Sequence, residues 1–232
     1  MIRRAISMSA MVVASAVSQE TGPAKAALEQ RLGEVKQSMA QNQARLRQYT
    51  WTETTEVSLK GEVKKREQNS CKYGPDGKVQ KTPIGAAPPS EPSGRKGRIK
   101  ERVVEKKVDE LKDYMERVGS LLRRYIPPDA QSMQAAFQAG RATLTPGAGV
   151  LAFSDYAKPG DEVKLTFDPA TKKLVSYAVA TYLDEPKDTV TMIARFSSLP
   201  DGTNFLEESV LDAAAKQIRV KTTNFEYHLA GG

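Results

Sequence analysis

Residues 163–198 read VKLTFDPATKKLVSYAVATYLDEPKDTVTMIARFSS, and this stretch decides the fold. Apolar and polar residues alternate along three segments, which are separated by turn sequences at 168–171 and 185–186. Because successive side chains on a strand point to opposite faces, the alternation predicts antiparallel strands with one apolar face. A Pro-Asp-Gly turn then leads to a strand from 203 to 211, and Ile218 begins a last one.

More strands are predicted earlier in the chain. Residues 49–59 are rich in threonine and alternate in the same way, and segments 62–72 and 79–82 follow after short turns. Ten of the fourteen residues at 84–97 are Pro, Gly, Ala or Ser, which predicts a loop inserted within one sheet. Residues 143–149 are expected to bend before the next strand begins at Val150.

Apolar residues recur with helical spacing in two segments. They appear every three or four positions between residues 24 and 48, and again from 98 to 125. Pro127-Pro128 ends the second helix, and Asp129 is placed to cap a short helix that runs to Gly140. These elements predict an α+β fold, in which a curved antiparallel sheet, forming an incomplete barrel, is covered by helices.

The N-terminus has the layout of a secretory signal. Two arginines, Arg3 and Arg4, precede a stretch of small, apolar and uncharged residues, and Ala14-Ser15-Ala16 offers a cleavage site. We therefore expect residues 1–18 to be a signal peptide and the protein to be exported, periplasmic and soluble; an ordinary N-terminal helix is the alternative. A single domain is predicted from 24 to 227, with a frayed tail at 228–232.

Charge is unevenly distributed along the chain. Residues 17–150 hold 24 Lys and Arg against 16 Asp and Glu, a formal charge of +8, whereas residues 151–232 hold 9 against 12, a charge of −3. A basic surface can meet anionic lipid head groups, nucleic acid or an acidic partner. Export makes nucleic acid the least expected of these, and a merely solvated surface is the simplest reading.

The residues needed for catalysis or metal binding are scarce. His228 is the single histidine and Cys71 the single cysteine, so together they cannot build a His/Cys metal site or an internal disulfide. The acidic residues around Pro186 lie where a hairpin turn needs them. The sequence contains no phosphate-binding loop, nucleophile elbow or dinucleotide fingerprint. We therefore predict a protein that is not an enzyme and uses no cofactor.

Two turn-and-strand motifs carry a family resemblance. They are FDPATKKL at 167–174 and LPDGTNF at 199–205, set in the order helix, threonine-rich strand pair, helical segment and long meander. This arrangement resembles the LolA-like family of periplasmic carriers that sort outer-membrane lipoproteins. In that family an incomplete antiparallel barrel is covered by helices, and the apolar cavity between them receives the acyl chains.

The resemblance implies an apolar groove that binds lipid or a lipid-modified protein. Its groove residues would be Trp51, Leu165, Phe167, Tyr177, Val179, Met192 and Phe196 on the strands, and Leu111 and Met115 on the helix. Arg98, Lys100 and Arg102 would contact anionic head groups at a membrane surface. The alternative is a cell-envelope module with a closed core, which binds other proteins through its long helix or a sheet edge and takes no lipid.

Overall fold

A computed structural model of the chain describes residues 30, 33, 37, 40–85, 98–145 and 147–230, with the backbone alone for 98–106 and 130. The chain divides into two units, residues 1–41 and residues 42–232. The described residues of the first unit are helical. The predicted signal peptide at 1–18, most of the helix predicted at 24–48, and residues 86–97 of the predicted loop lie outside the described residues.

The second unit is built on a ten-stranded antiparallel sheet. Its strands are β1 (Tyr49–Leu59), β2 (Glu62–Tyr73), β3 (Val79–Pro83), β4 (Ala142–Thr145), β5 (Val150–Ser154), β6 (Glu162–Phe167), β7 (Leu174–Tyr182), β8 (Thr189–Ser198), β9 (Asn204–Ala213) and β10 (Ile218–Leu229). Their spatial order is β3-β2-β1-β10-β9-β8-β7-β6-β5-β4, so β3 and β4 are edges and the sheet is not closed. The predicted α+β class and the unclosed antiparallel sheet are confirmed.

Helical segments occur at three places along the chain of the second unit. Residues 42–46 form a segment α1 before β1. The helices α2 (Arg98–Leu122) and α3 (Ala130–Gln138) lie between β3 and β4 in the chain. The predicted cap of α3 is confirmed, because Asp129 accepts a hydrogen bond from the Ser132 backbone N–H at 2.7 Å. A short 3₁₀ turn, Ala214–Lys216, separates β9 from β10.

One row of paired residues crosses the sheet and defines what we call its inner face. Each strand from β5 to β8, and then β9, β10 and β1, contributes one apolar residue to this apolar row. In spatial order its members are Phe153, Val163, Val179, Met192, Leu211, Val220 and Val57. The row shows that the alternation seen in the sequence places the apolar residues of distant strands on one face.

The C-terminal half of α2 follows the strand ends at one end of the sheet. The Tyr125 hydroxyl, just beyond the helix, donates to Asp161 at 2.6 Å, next to the β5–β6 turn. Earlier on α2, the Tyr114 hydroxyl donates to Asp188 in the β7–β8 turn at 2.8 Å. Lys216, in the β9–β10 turn, lies 6.0 Å from the centre of the Tyr114 ring. These contacts place α2 across successive turns of the meander.

A buried hydrogen-bond network joins the end of α2 to the sheet. The Tyr177 hydroxyl donates to the Tyr125 carbonyl at 2.6 Å, while Asp161 accepts the Tyr125 hydroxyl and the backbone N–H groups of Ala157 and Lys158 at 3.0 and 2.9 Å. Burial, followed by the bond to Asp161, raises the pKa of Tyr125, so the phenol stays protonated as a donor. Asp161 is 2% exposed, so these partners are needed to satisfy its charge.

The sheet extends beyond the predicted strands in two places. The segment expected to bend at 143–149 begins within β4, which pairs with β5 at the sheet edge. The tail expected to fray at 228–232 is paired in its first residues: His228 and Leu229 lie opposite Thr50 and Tyr49, and the Ala230 N–H donates to Gln48 at 2.7 Å. The bonds to β1 therefore hold the chain to residue 230.

Candidate functional site

Burial changes along the apolar row. Phe153 is 1% exposed and Met192 is 8% exposed, and the two row residues between them are buried as well. From Leu211 onward, the row residues are half-buried. We call the half-buried residues at this side the open strip; they are Val57, Leu59, Leu211 and Val220. Apolar side chains in this position retain surface that a ligand could still remove from water.

A pocket of about 290 Å³ lies where the open strip meets α2. Its apolar floor contains Leu59, Leu111 and Ala215, which come from β1, α2 and the β9–β10 turn. The remaining lining residues are polar or charged; they are Lys60, Lys107, Glu110, Lys216 and Gln217. The volume is close to the lower limit of small-molecule pockets, about 300 Å³, so it fits a head group or part of a chain.

Two tight turns form the lip of this pocket. Lys60 and Gly61 connect β1 to β2 with φ values of 55° and 82°, the left-handed pair that a two-residue hairpin turn requires. Gln217, beside β10, is also left-handed, with φ 51°. The Lys60 N–H donates to the Gln217 carbonyl at 2.8 Å and ties the two turns together. The positions of Lys60 and Lys216 are thus set by backbone geometry.

The structure divides the predicted groove residues into two groups. Leu165, Tyr177, Val179 and Met192 are buried on the inner face of the strands from β6 to β8. The half-buried residues are Phe167, Phe196, Leu111 and Met115. Pairing places Leu165, Tyr177, Val179 and Met192 on the inner face, while Phe167 and Phe196 each follow a β-bulge in the pairing of their strand. The buried group already lies in the core, which leaves the half-buried group as candidates for ligand contact.

Trp51, the ninth predicted groove residue, lies in an aromatic cluster. Its ring stacks on Tyr227 with centroids 5.5 Å apart and meets Tyr73 at 5.4 Å. The indole N–H donates to Asn224 at 3.0 Å. With one face stacked, a second ring beside it and its donor satisfied, Trp51 acts as a packing residue among β1, β2 and β10.

Polar residues bound the open strip on the side away from α2. Thr55, Thr222 and Ser209 form the next row on the inner face of β1, β10 and β9. Beyond them, Glu53 is 6% exposed and its Oε1 lies 2.5 Å from the Lys81 ammonium. Sequence analysis missed this buried carboxylate, because it stands between two threonines of a strand whose polar residues give no sign of burial. The apolar surface therefore ends within a few residues of the pocket.

The structure describes the side chain of Cys71 but not those of the predicted head-group residues. Cys71 is completely buried opposite Trp51, and burial raises the pKa of its thiol, as does nearby Glu53 to a smaller extent. Arg98, Lys100 and Arg102 belong to α2, where the structure describes their backbone but not their side chains. The structure places three basic residues at the pocket: Lys107 comes from α2 in the basic part of the chain, and Lys60 and Lys216 come from turns that the charge pattern did not single out.

Three further findings concern the described part of the chain. No group of three or more His, Cys, Asp or Glu residues there could hold a metal ion. None of its helices is long and apolar enough to cross a membrane. No family model, curated protein or solved structure matches the chain. Any functional assignment must therefore come from the geometry of the site.

Proposed function

We propose that this protein is an exported, non-enzymatic carrier of lipid or of a lipid-modified protein. The observation that supports the proposal is the change in burial along the apolar row. Residues of the same type, paired in register, are covered from Phe153 to Met192 and half-buried from Leu211 to Val57. In this proposal the open strip and α2 form the groove, and α2 acts as the helical lid expected of a LolA-like carrier.

The chemistry of the strip suits an acyl chain. Its side chains are aliphatic, and its polar boundary at Thr55 and Thr222 gives the groove an apolar side and a wet side. Burying one methylene contributes about 0.8 kcal/mol, so about eight methylenes against the strip contribute roughly 6 kcal/mol before the cost of association. A chain that also reached Phe196 and Phe167 would bury more surface and bind more tightly.

The half-buried aromatic residues extend this surface toward the opposite end of the sheet. Phe196 pairs with Leu206 across β8 and β9, two inner-face positions beyond Met192 on β8. Both side chains are half-buried. A chain that follows the inner face from Leu59 through Leu211 to Phe196 crosses the polar Ser209 and the buried Ala194 on the way, which an extended acyl group does more readily than a folded protein segment.

The first test is native mass spectrometry of the purified protein, with organic extraction of anything bound, followed by titration with a fluorescent fatty acid. Leu211→Asp and Val220→Asp place a charge in the open strip and should abolish uptake. Ile193→Asp is the matched control, because Ile193 is 45% exposed and neighbours Met192 on the opposite face of β8. Thermal unfolding of all three variants verifies that each is folded.

The choice of variants follows from burial. Leu165 and Met192 would be poor positions for the same charge, because both are buried and an aspartate there would unfold the protein. An apo mass together with no fatty-acid uptake by the wild type would contradict the carrier proposal. It would leave the protein-binding envelope module as the function to pursue.

A further inference from the structure

Three lysines surround the pocket at the end of the open strip. Lys60 comes from the β1–β2 turn, Lys107 from α2 and Lys216 from the β9–β10 turn. All three are exposed, and Glu110 is the single carboxylate among the lining residues, so the lining carries a formal charge of +2. We refer to this group as the lysine pocket.

Among the described residues, the lysines of the pocket have no carboxylate partner, a condition they share with Lys72, Lys158, Lys172 and Lys173. Other lysines stand within 4 Å of a carboxylate; examples are Lys64, Lys65, Lys81, Lys164, Lys187 and Lys221. Within the described residues, no ion pair is formed by Lys60, Lys107 or Lys216. Three ammonium groups against the one carboxylate of Glu110 leave a net positive charge at the pocket, which an anionic ligand would offset.

We propose that the lysine pocket binds the phosphate group of a phospholipid whose acyl chain lies on the open strip. This inference rests on the proposed carrier function and names its ligand class. An ammonium group is a compact donor that binds phosphate as a point charge, and three of them can share its oxygens. The floor of Leu59 and Leu111 leads directly into the strip, so head group and chain are accommodated side by side.

Two contacts hold the elements that carry the three lysines near one another. The hydrogen bond from Lys60 N–H to the Gln217 carbonyl fixes the two turns relative to each other at 2.8 Å. Lys216 also lies 6.0 Å from the Tyr114 ring, on the helix that contributes Lys107. A bound phosphate would therefore bridge α2 to the β1–β2 hairpin and the β9–β10 hairpin, and would hold the proposed lid against the open strip.

The test uses calorimetric titration of the full chain with three probes. Lysophosphatidylglycerol has one chain and a phosphate, a monoacylglycerol of the same chain has no phosphate, and inorganic phosphate has no chain. The pocket variant combines K60Q, K107Q and K216Q. The matched control, K72Q with K78Q and K172Q, removes three exposed charges from the opposite end of the sheet.

The wild type should bind lysophosphatidylglycerol roughly tenfold more tightly than the monoacylglycerol, because three ammonium groups would face the added phosphate. The pocket variant should lose this preference and keep its affinity for the monoacylglycerol, while the control keeps both. The preference should also weaken as salt is raised.

The other outcomes separate the two proposals. If the pocket variant keeps the tenfold preference, the phosphate site is overturned and the carrier function stands. If inorganic phosphate binds as tightly as the lysolipid and loses affinity in the pocket variant, the site takes free phosphate and the lipid head group is excluded. If neither lipid binds the wild type, both the carrier function and the head-group site are contradicted.

Discussion

The two halves of the sheet carry the same apolar row but expose it differently. From Phe153 on β5 to Met192 on β8 the row is buried, whereas from Leu211 on β9 to Val57 on β1 it is half-buried. The antiparallel pairing continues across this boundary, but the neighbouring inner-face row changes from Leu165, Tyr177 and Ala194 to Ser209, Thr222 and Thr55. The apolar row is therefore buried where the rows beside it are also apolar, and half-buried where a polar row adjoins it.

The end of α2 is fastened to the buried half by specific bonds. Tyr125 is held by Asp161 and by Tyr177, and Tyr114 is held by Asp188. Toward the half-buried side the described contact is weaker. There the Lys216 ammonium lies 6.0 Å from the centre of the Tyr114 ring, and the pocket lies beside it. The helix is thus hydrogen-bonded to the turns of the meander through its C-terminal half and borders the candidate site at Lys107 and Leu111.

The largest expected difference between the halves is in stability. Leu165→Ala removes a side chain that is 1% exposed and should lower the free energy of unfolding by about 2–5 kcal/mol. Leu211→Ala makes the same change at a half-buried position and should cost about half as much or less, since less area returns to water. Urea unfolding of both variants measures the contrast. Equal costs would show that the two halves are packed alike.

A smaller contrast concerns two tyrosines. Tyr125→Phe removes the hydroxyl that donates to Asp161 and lies 2.9 Å from Thr181, so buried polar atoms lose a partner and stability should fall by about 1–3 kcal/mol. Tyr227→Phe keeps the ring contacts to Trp51 and Phe205 and should change stability by less than about 0.5 kcal/mol. Thermal unfolding of the pair measures both values; a Tyr125→Phe variant as stable as Tyr227→Phe would show that the network does not anchor α2.

Local sequence chemistry predicted much of the fold. The turn at 168–171 forms because Asp168 accepts the N–H groups of Ala170 and Thr171 at 2.9 and 2.7 Å, which is the reason aspartate favours such turns. Asp129 caps α3 for a similar reason. Strand alternation located nine of the strands, while β4 was missed because four residues between Arg141 and the following turn give too little pattern to identify.

The candidate site could be predicted only in part. Alternation identified the inner face, but it could not tell Leu165 from Leu211, since both are apolar residues on strands and their exposure depends on tertiary contacts that a strand pattern does not encode. The lysine pocket was not predictable from local pattern. Lys60 and Lys216 meet because β1 pairs with β10 from the other end of the chain, and such long-range pairing leaves no local signal.

The smallest expected effect lies at the β8–β9 turn, where the two halves meet. Asp201 accepts hydrogen bonds from the Thr203 N–H and hydroxyl, each at 2.8 Å, and from the Tyr49 hydroxyl at 2.9 Å. The bonds from Thr203, followed by the one from Tyr49, lower the pKa of Asp201. Because the folded-state pKa lies below the unfolded value of about 3.9, this contribution to stability is present above about pH 4 and is lost as the pH falls through the folded-state pKa.

Asp201→Asn keeps an acceptor oxygen for Thr203 but does not titrate, so it isolates the charge of this carboxylate. The variant should unfold at a slightly lower temperature than the wild type at pH 7, and the difference should shrink as the pH is lowered from 5 toward 2. Tyr49→Phe should produce a weaker form of the same change, since it removes one of the three donors. A difference that stays constant with pH would mean that the turn is held by its backbone geometry, and that the junction between the halves does not depend on the charge of Asp201.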